Sequence, residues 1–369
     1  MSHQRPTDLR NRYAWVDFAK GFCIVAVVAM WIAGEMQGHV AKGQAGWLGY
    51  FVVFAKPFRM PDFFLISGLF LSQVIDRPWK HYLDTKVVHY LYFFVLWTLI
   101  VLPVTWLLGH DAPVSLGDAA ASLLFHLYEP FGMLWFVMML SVYFVATRLL
   151  RQVPVWILLP AAVLLHLFPL QTGIYHIDRF GMFFVFFYAG HVFASRFFAL
   201  ADWTLAHRRT AIAALLVWAV VNGALVKLAL TEHLAVNLLA GFMGISALVS
   251  IAALVSSHRW AGWLNTLGKN SIAVYLGFYL PMIIIVPALQ ASPVGRSPSL
   301  VATIAMVSVI GIAMGAYHLF NRIGMRFLYD RPSWMRLVKP GQRAASAASG
   351  SKGGRAISPV AGSNPTSAM

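Results

Sequence analysis

Ten apolar stretches run through the chain, near residues 14–34, 48–73, 86–108, 132–150, 154–170, 180–199, 210–230, 235–256, 270–290 and 300–321. Each is close to the roughly 20 residues that a helix needs to cross about 30 Å of hydrocarbon. A water-soluble core cannot bury so many continuous apolar runs. Only helices or closed barrels satisfy their backbone inside lipid, so the pattern predicts an all-α, polytopic membrane protein with about ten transmembrane helices. Composition agrees, because only 11% of residues are charged, against about a quarter in soluble domains. The net charge of +15 does not point to nucleic acid as a partner, since the basic residues sit between apolar runs and build no basic face on a soluble fold.

Charge also orients the chain. With the N-terminus in the cytoplasm, 21 Lys and Arg residues fall on the cytoplasmic side, and only Lys42, Arg179, Lys227 and Arg296 fall opposite. That bias is what an even number of spans with both termini inside produces. The expected organisation is a cytoplasmic N-terminal segment, 1–13, a membrane domain, 14–339, and a cytoplasmic tail, 340–369. The tail is rich in Gly, Ser and Ala and too poor in apolar surface to fold, so disorder is expected. The residues before the first span lack the short apolar core and cleavage site of a secretory signal.

Three basic residues, Lys20, Lys56 and Arg59, fall inside spans. Intramembrane charge costs roughly 2.5–3.5 kcal/mol per residue even on lenient scales, so such residues face a polar interior, snorkel, or do chemistry. In the first span Lys20, Ile24, Val27, Trp31 and Glu35 recur every three or four residues and share one helix face. Lys20 and Glu35 are read in two ways, as snorkelling boundary residues or as functional groups at opposite ends of that stripe. In the second span, Pro57 and Pro61 must bend or break the helix. Broken backbone at membrane depth is tolerated beside protein or a water-filled cavity, so Lys56, Arg59 and Asp62 are expected to line a polar cavity or its mouth. The alternative is an outer loop with a span that starts near Pro61.

Other features are less specific. His126, His166, His191 and His318 sit in apolar surroundings without metal-ligand spacing and are expected as hydrogen-bonded interface residues. Gly311 and Gly315 form a small-residue pair suited to close helix packing. The loop between the third and fourth spans carries Asp111, Asp118 and Glu129 without Lys or Arg, which suits either hydrogen bonding to sugar hydroxyls or a linker kept free of positive charge. The single cysteine, Cys23, excludes an intrachain disulfide. Nucleotide-binding, zinc-protease and paired-cysteine motifs are absent from the sequence.

Five segments in order, WVDFAKG, FRMPDFFLISGLFL, MLWFVMML, FFVFFYAGHVFA and TLGKNSIAVYLGFYLPM, with the ending FLYDRPSWMRL, resemble the landmarks of the acyltransferase 3 family, in particular its fucose 4-O-acetylase-related group. The resemblance implies about ten membrane helices in the bacterial inner membrane. It further implies transfer of an acyl group, most simply acetyl, from acetyl-CoA or another acyl-CoA to a hydroxyl of a surface polysaccharide or glycolipid. No metal is implied.

Carried over by residue, the family's basic residue in the first helix falls on Lys20, and the basic residue at the start of the third helix falls on Lys86. Both are expected to bind the coenzyme. The family histidine eleven positions after the first basic residue falls on Trp31, whose indole donates a hydrogen bond but cannot accept a proton. A histidine expected after Tyr275 falls on Phe278. Glu35, one turn beyond Trp31, is the expected replacement base, with His39 in reserve, and Arg59 and Asp62 are expected to bind the acceptor. The alternative implied by Trp31 is a non-catalytic carrier or export-complex partner built on the same fold.

Overall fold

The computed structural model describes residues 6–39, 45–109 and 112–338, and among these every regular element is helical. Lys42, Asp111 and the tail from residue 340 lie outside the described residues, as does the side chain of His39. The chain opens with α1 (Pro6–His39), α2 (Gly46–Ala55), α3 (Arg59–Gly68), α4 (Trp79–Leu83) and α5 (His89–Leu107). It continues through α6 (Leu116–Tyr128), α7 (Trp135–Leu149), α8 (Val155–Leu167), α9 (Tyr175–Val192), α10 (Ala194–Ala206), α11 (Arg208–Lys227) and α12 (Leu234–Val255). The last elements are α13 (Gly262–Lys269), α14 (Ser271–Gly277), α15 (Tyr279–Ala291) and α16 (Pro298–Arg322).

Each expected span coincides with an apolar helix or helix pair. Six are long and apolar enough to cross a membrane, and two bent pairs bring the number to eight. The other two fall short for identifiable reasons. The fifth expected span is the 13-residue α8, about 20 Å long. The second is split into α2 and α3, each of 10 residues. Pro57 has no N–H for the ladder and its ring crowds the carbonyl of Val53. The chain therefore turns tightly there, with the N–H groups of Lys56 and Phe58 donating three residues back, to Val53 and Ala55, at 3.2 Å each.

The two bent pairs have different sequence signals. Between α14 and α15 the axis bends by 54°, because Pro281 lacks an N–H and its ring would clash with the carbonyl of Gly277. Between α9 and α10 it bends by 71° at Phe193 without a proline, so the expected straight span 180–199 turns halfway. Outward-facing Leu216, Val217 and Val220 on α11 are exposed, as lipid-facing side chains are.

Two helix crossings fix the interior, and both need glycine. A Cβ on Gly268 would lie 1.7 Å from the Asp17 carbonyl oxygen, and one on Gly21 would lie 2.1 Å from that of Leu264. These reciprocal contacts bring α1 and α13 together backbone to backbone. At the second crossing, a Cβ on Gly68 would lie 2.2 Å from the Phe187 carbonyl oxygen and one on Gly190 2.2 Å from that of Leu65, which seats α3 on α9. The expected pair Gly311 and Gly315 plays no such part: a Cβ at either would meet nothing within 4 Å. Their spacing on α16 is right for packing, but that face is turned away from the bundle.

Candidate active site

A cavity of about 170 Å³ lies between these crossings. It is walled by α1, α3, α7 and α14, together with the start of the third expected span, and its polar lining is Lys20, Lys86, Ser67, Ser271, Tyr90 and Tyr275. The two lysines reach it from different elements. Lys20 stands on α1, its Nζ 5.9 Å from the centre of the Phe70 ring. Lys86 stands on a π-helical turn, Asp84–Val88, between α4 and α5, its Nζ 4.7 Å over the Phe144 ring. A π turn inside a long helix is wider than an α turn and is frequent at functional sites. An aromatic face beside each ammonium group supplies cation–π attraction of roughly 0.5–2 kcal/mol without neutralising the charge.

The charged surroundings are lopsided. Asp17 is the acidic neighbour of Lys20, whereas the charged neighbours of Lys86 are Lys20 and Arg77. The cavity therefore offers an anion two cations, of which Lys20 has Asp17 nearby and Lys86 has only other cations as charged neighbours. Two of the hydroxyls, Ser67 and Tyr275, offer mainly lone pairs to the cavity, because their protons are engaged elsewhere. Ser67 donates to the Phe63 carbonyl one turn back at 2.8 Å, and Tyr275 donates to the Met133 carbonyl. Cys23, 1% exposed, completes the wall behind Lys20.

Trp31 does not line the cavity. Its ring meets that of Tyr279 edge-on, Tyr279 meets Phe131, and Gly132, with φ of +47°, brings its backbone close to both Trp31 and Tyr279. Tyr275 and Phe136 line the cavity, and Tyr279 and Phe131, four and five residues from them, belong to this aromatic layer with Trp31, two turns beyond Cys23 of the cavity wall. Glu35, half-buried, lies one more turn along α1, about 22 Å of helix from Lys20. The layer therefore separates Glu35 from the lysines.

The second expected span is less unified than its charge suggested. Lys56 is exposed and pairs with Glu232 at 2.6 Å, so it marks the surface and not a cavity wall. This pair holds the Glu232 carboxyl below the usual carboxylate range, chiefly through the hydrogen bond from Lys56. Arg59 donates to the Val52 carbonyl at 3.4 Å. Asp62 is 1% exposed and neither of its oxygens has a hydrogen-bond partner; among the described residues no ion pair joins it to Arg59. Asp62 sits next to Phe63, which lines the cavity, but is itself outside the lining.

The histidines behave as interface residues in part. His166 is buried with Nδ1 2.7 Å from the Met182 carbonyl, and His126 Nδ1 lies 3.3 Å from that of Glu129. His318 is exposed, and among the described residues no group of His, Cys, Asp and Glu could hold a metal ion. Phe278, at the position where a histidine was expected, is wholly buried. Ser67 and Ser271 went unselected in the sequence although both lie in landmark segments. A serine among apolar residues is too common a signal to stand out without knowledge of its facing partners.

Comparison with known proteins gives a consistent result. Residues 13–318 match the family described as Acyltransferase domain. An inner membrane protein of Escherichia coli (strain K12), YcfT, is 24% identical over 168 residues, which cover 39% of this chain and 45% of that protein. The match thus spans less than half of the length of that relative. No solved structure matches the chain.

Proposed function

We propose, from the premise that this chain belongs to the acyltransferase 3 family of integral membrane proteins, that it moves acetyl from acetyl-CoA to a hydroxyl of a surface polysaccharide or glycolipid sugar. The observation that carries the reading is the convergence of Lys20 and Lys86 on one cavity. Two cations facing one cavity suit the negative charge of a coenzyme, and lysine serves as a point charge where no bidentate fork is needed. The volume favours a short acyl chain, since about 170 Å³ is below the roughly 300–1,000 Å³ of clefts for drug-sized ligands. It suits the thioester end of a donor whose nucleotide stays outside.

In the reaction, the acceptor oxygen bonds to the thioester carbonyl carbon and the carbon–sulfur bond breaks. The hydroxyl proton goes to a base, and the coenzyme leaves as its thiol after protonation. Ser67 and Tyr275 accept hydrogen bonds along the wall and orient what enters. Glu35 is the proposed base for an acceptor arriving from its end, and the layer of Trp31, Phe131 and Tyr279 must part for the acceptor and thioester to meet. Arg59 and Asp62 are the proposed acceptor contacts, and Asp62 would have to emerge from its buried position to serve as one. The bacterial inner membrane, with the Lys20 end and both termini toward the cytoplasm, is the setting that this donor and the basic residues between spans require.

The second reading, a non-catalytic carrier or export-complex partner, is favoured by the indole at Trp31, where the family resemblance implies a histidine. The protein purified in lipid and given radiolabelled acetyl-CoA and a membrane glycan fraction separates the two. Label on glycan that falls at least tenfold in Lys20→Ala and Lys86→Ala supports the enzyme. Absence of both transfer and acetyl-CoA binding would favour the carrier.

A further inference from the structure

The described chain ends in a segment, residues 326–338, that folds back along α5 and stops against the turn that bears Lys86. Its backbone is fastened at three places. Tyr92 Oη donates to the Phe327 carbonyl at 2.7 Å, and Trp97 Nε1 donates to that of Leu328 at 3.0 Å. The third fastening is buried. Arg331 Nη2 donates to Asp84 Oδ1 at 2.6 Å, and the backbone N–H of Leu337 donates to the same oxygen at 2.8 Å. The side chains of Arg331 and Asp84 are 3% and 0% exposed.

Asp84 is the first residue of the π turn Asp84–Val88, and Lys86 stands two places further on. Residues two apart on a helix point to different sides, so one side of this turn holds the ion pair and the other presents Lys86 to the cavity. Rotation of the turn about its axis would carry both side chains together. A π turn lacks the regular i→i+4 ladder that would resist such rotation by itself. The segment also reaches α14, which supplies Ser271 and Tyr275 to the cavity wall, because the Tyr329 hydroxyl lies where a Cβ on Gly277 would be 3.3 Å away, at the bend between α14 and α15.

We propose that Arg331 is a positioning residue for Lys86, acting through Asp84, and that residues 326–338 form a latch that sets the spacing between the Lys86 turn and the α14 wall. The role assigned to Lys86 as a coenzyme contact rests on the function proposed above; the positioning itself does not. A buried pair is a weak source of net stability but a strong determinant of geometry, because one partner left alone is an uncompensated buried charge.

The test uses the full chain in lipid and two readouts. The first is competitive labelling of lysines by acetic anhydride, with the extent at Lys86 read by mass spectrometry. Arg331→Met is expected to change labelling at Lys86 at least threefold while leaving Lys227 and Lys269 unchanged, and the swap Asp84→Arg with Arg331→Asp is expected to restore it. Unchanged labelling at Lys86 would overturn the proposal. The second is the Kd for labelled acetyl-CoA. Arg331→Met is expected to weaken binding about tenfold in the native background and by less than twofold in a Lys86→Ala background, since coupled residues are not additive. Equal losses in both backgrounds would assign Arg331 a general structural role and overturn its action through Lys86. If the native chain binds no acetyl-CoA, the proposed function fails and the labelling decides the positioning alone. Should Arg331→Met not insert, Asp84→Glu is read in the same way, because it keeps the charge and shifts the carboxylate by one methylene.

Discussion

Trp31 meets Tyr279 edge to face, with ring centroids 5.7 Å apart and planes at 87°, and so takes up a packing role at the position where the family resemblance places a histidine. The geometry is one that aromatic pairs favour, adding about 0.5–1.5 kcal/mol beyond area burial. On the function proposed above, the ring stands between Glu35 and the lysine cavity. Replacing it with imidazole removes part of this layer and adds a group able to take a proton. Trp31→His is therefore expected to raise acetyl transfer by about a hundredfold, the lower end of the 10²–10⁴-fold range typical of general-base catalysis. The comparison is made with label transferred per folded molecule, and a rate at or below that of the native chain would show that the indole is not what limits the reaction.

The two cavity lysines are expected to contribute to donor affinity separately. A hydrogen bond to a charged group contributes about 1.5–3 kcal/mol, or roughly ten- to a hundred-fold in Kd for acetyl-CoA on Lys20→Ala or Lys86→Ala. Lys86→Arg should retain most of the affinity, because the Phe144 face accepts a guanidinium as readily as an ammonium group. Equilibrium binding to protein in lipid, at fixed ionic strength, measures both effects.

Glycine substitutions separate the crossings that build the cavity from the small residues that merely look alike. At Gly268 the new Cβ would lie 1.7 Å from the Asp17 carbonyl oxygen, so α1 and α13 must move apart. Overpacking of this kind costs about 1–3 kcal/mol and sometimes more. Gly268→Ala and Gly190→Ala should lower the thermal midpoint in detergent. Gly311→Ala meets open space and should be neutral or stabilising by up to about 1 kcal/mol, the helix propensity difference. Equal effects at all three positions would contradict these crossings.

How much of this was legible follows from the range of the forces concerned. Apolar runs report burial in lipid locally, so each expected span falls on an apolar helix or helix pair, although only six to eight are long enough to cross a membrane, and the break at Pro57 follows from the missing N–H. The bend before Pro281 obeys the same rule and could have been read. The bend at Phe193 could not, since no residue there is unable to continue a helix. Lys20 and Lys86 were legible through family resemblance, whereas their convergence depends on crossings such as Gly21 with Leu264, which no local pattern encodes. Periodicity placed Lys20, Trp31 and Glu35 on one stripe correctly. It could not say that Trp31 would find Tyr279 and Phe131 as partners, nor that Lys56 would pair at the surface with Glu232. The pair of Asp84 with Arg331, 247 residues away, is the clearest case of information that exists only once the chain has folded.

Cys23 offers a direct reading of the aromatic layer, because it lines the cavity, is 1% exposed and is the single cysteine of the chain. Access to its thiol from the Glu35 end must pass Trp31, Phe131 and Tyr279. Tyr275 stabilises that barrier from below, since its hydroxyl donates to the carbonyl of Met133, beside the Phe131 and Gly132 backbone that packs on Trp31. Tyr275→Phe removes one donor from a carbonyl that keeps the Trp135 N–H, a loss of about 0.5–1.5 kcal/mol, and so should loosen the layer. Trp31→Ala should open it outright. Labelling of Cys23 by a membrane-impermeant thiol reagent in sealed, oriented vesicles is expected to be slow in the native chain, several-fold faster in Tyr275→Phe and fastest in Trp31→Ala. Identical rates in all three would mean that the rings do not control entry, and that the route between Glu35 and the lysines runs elsewhere.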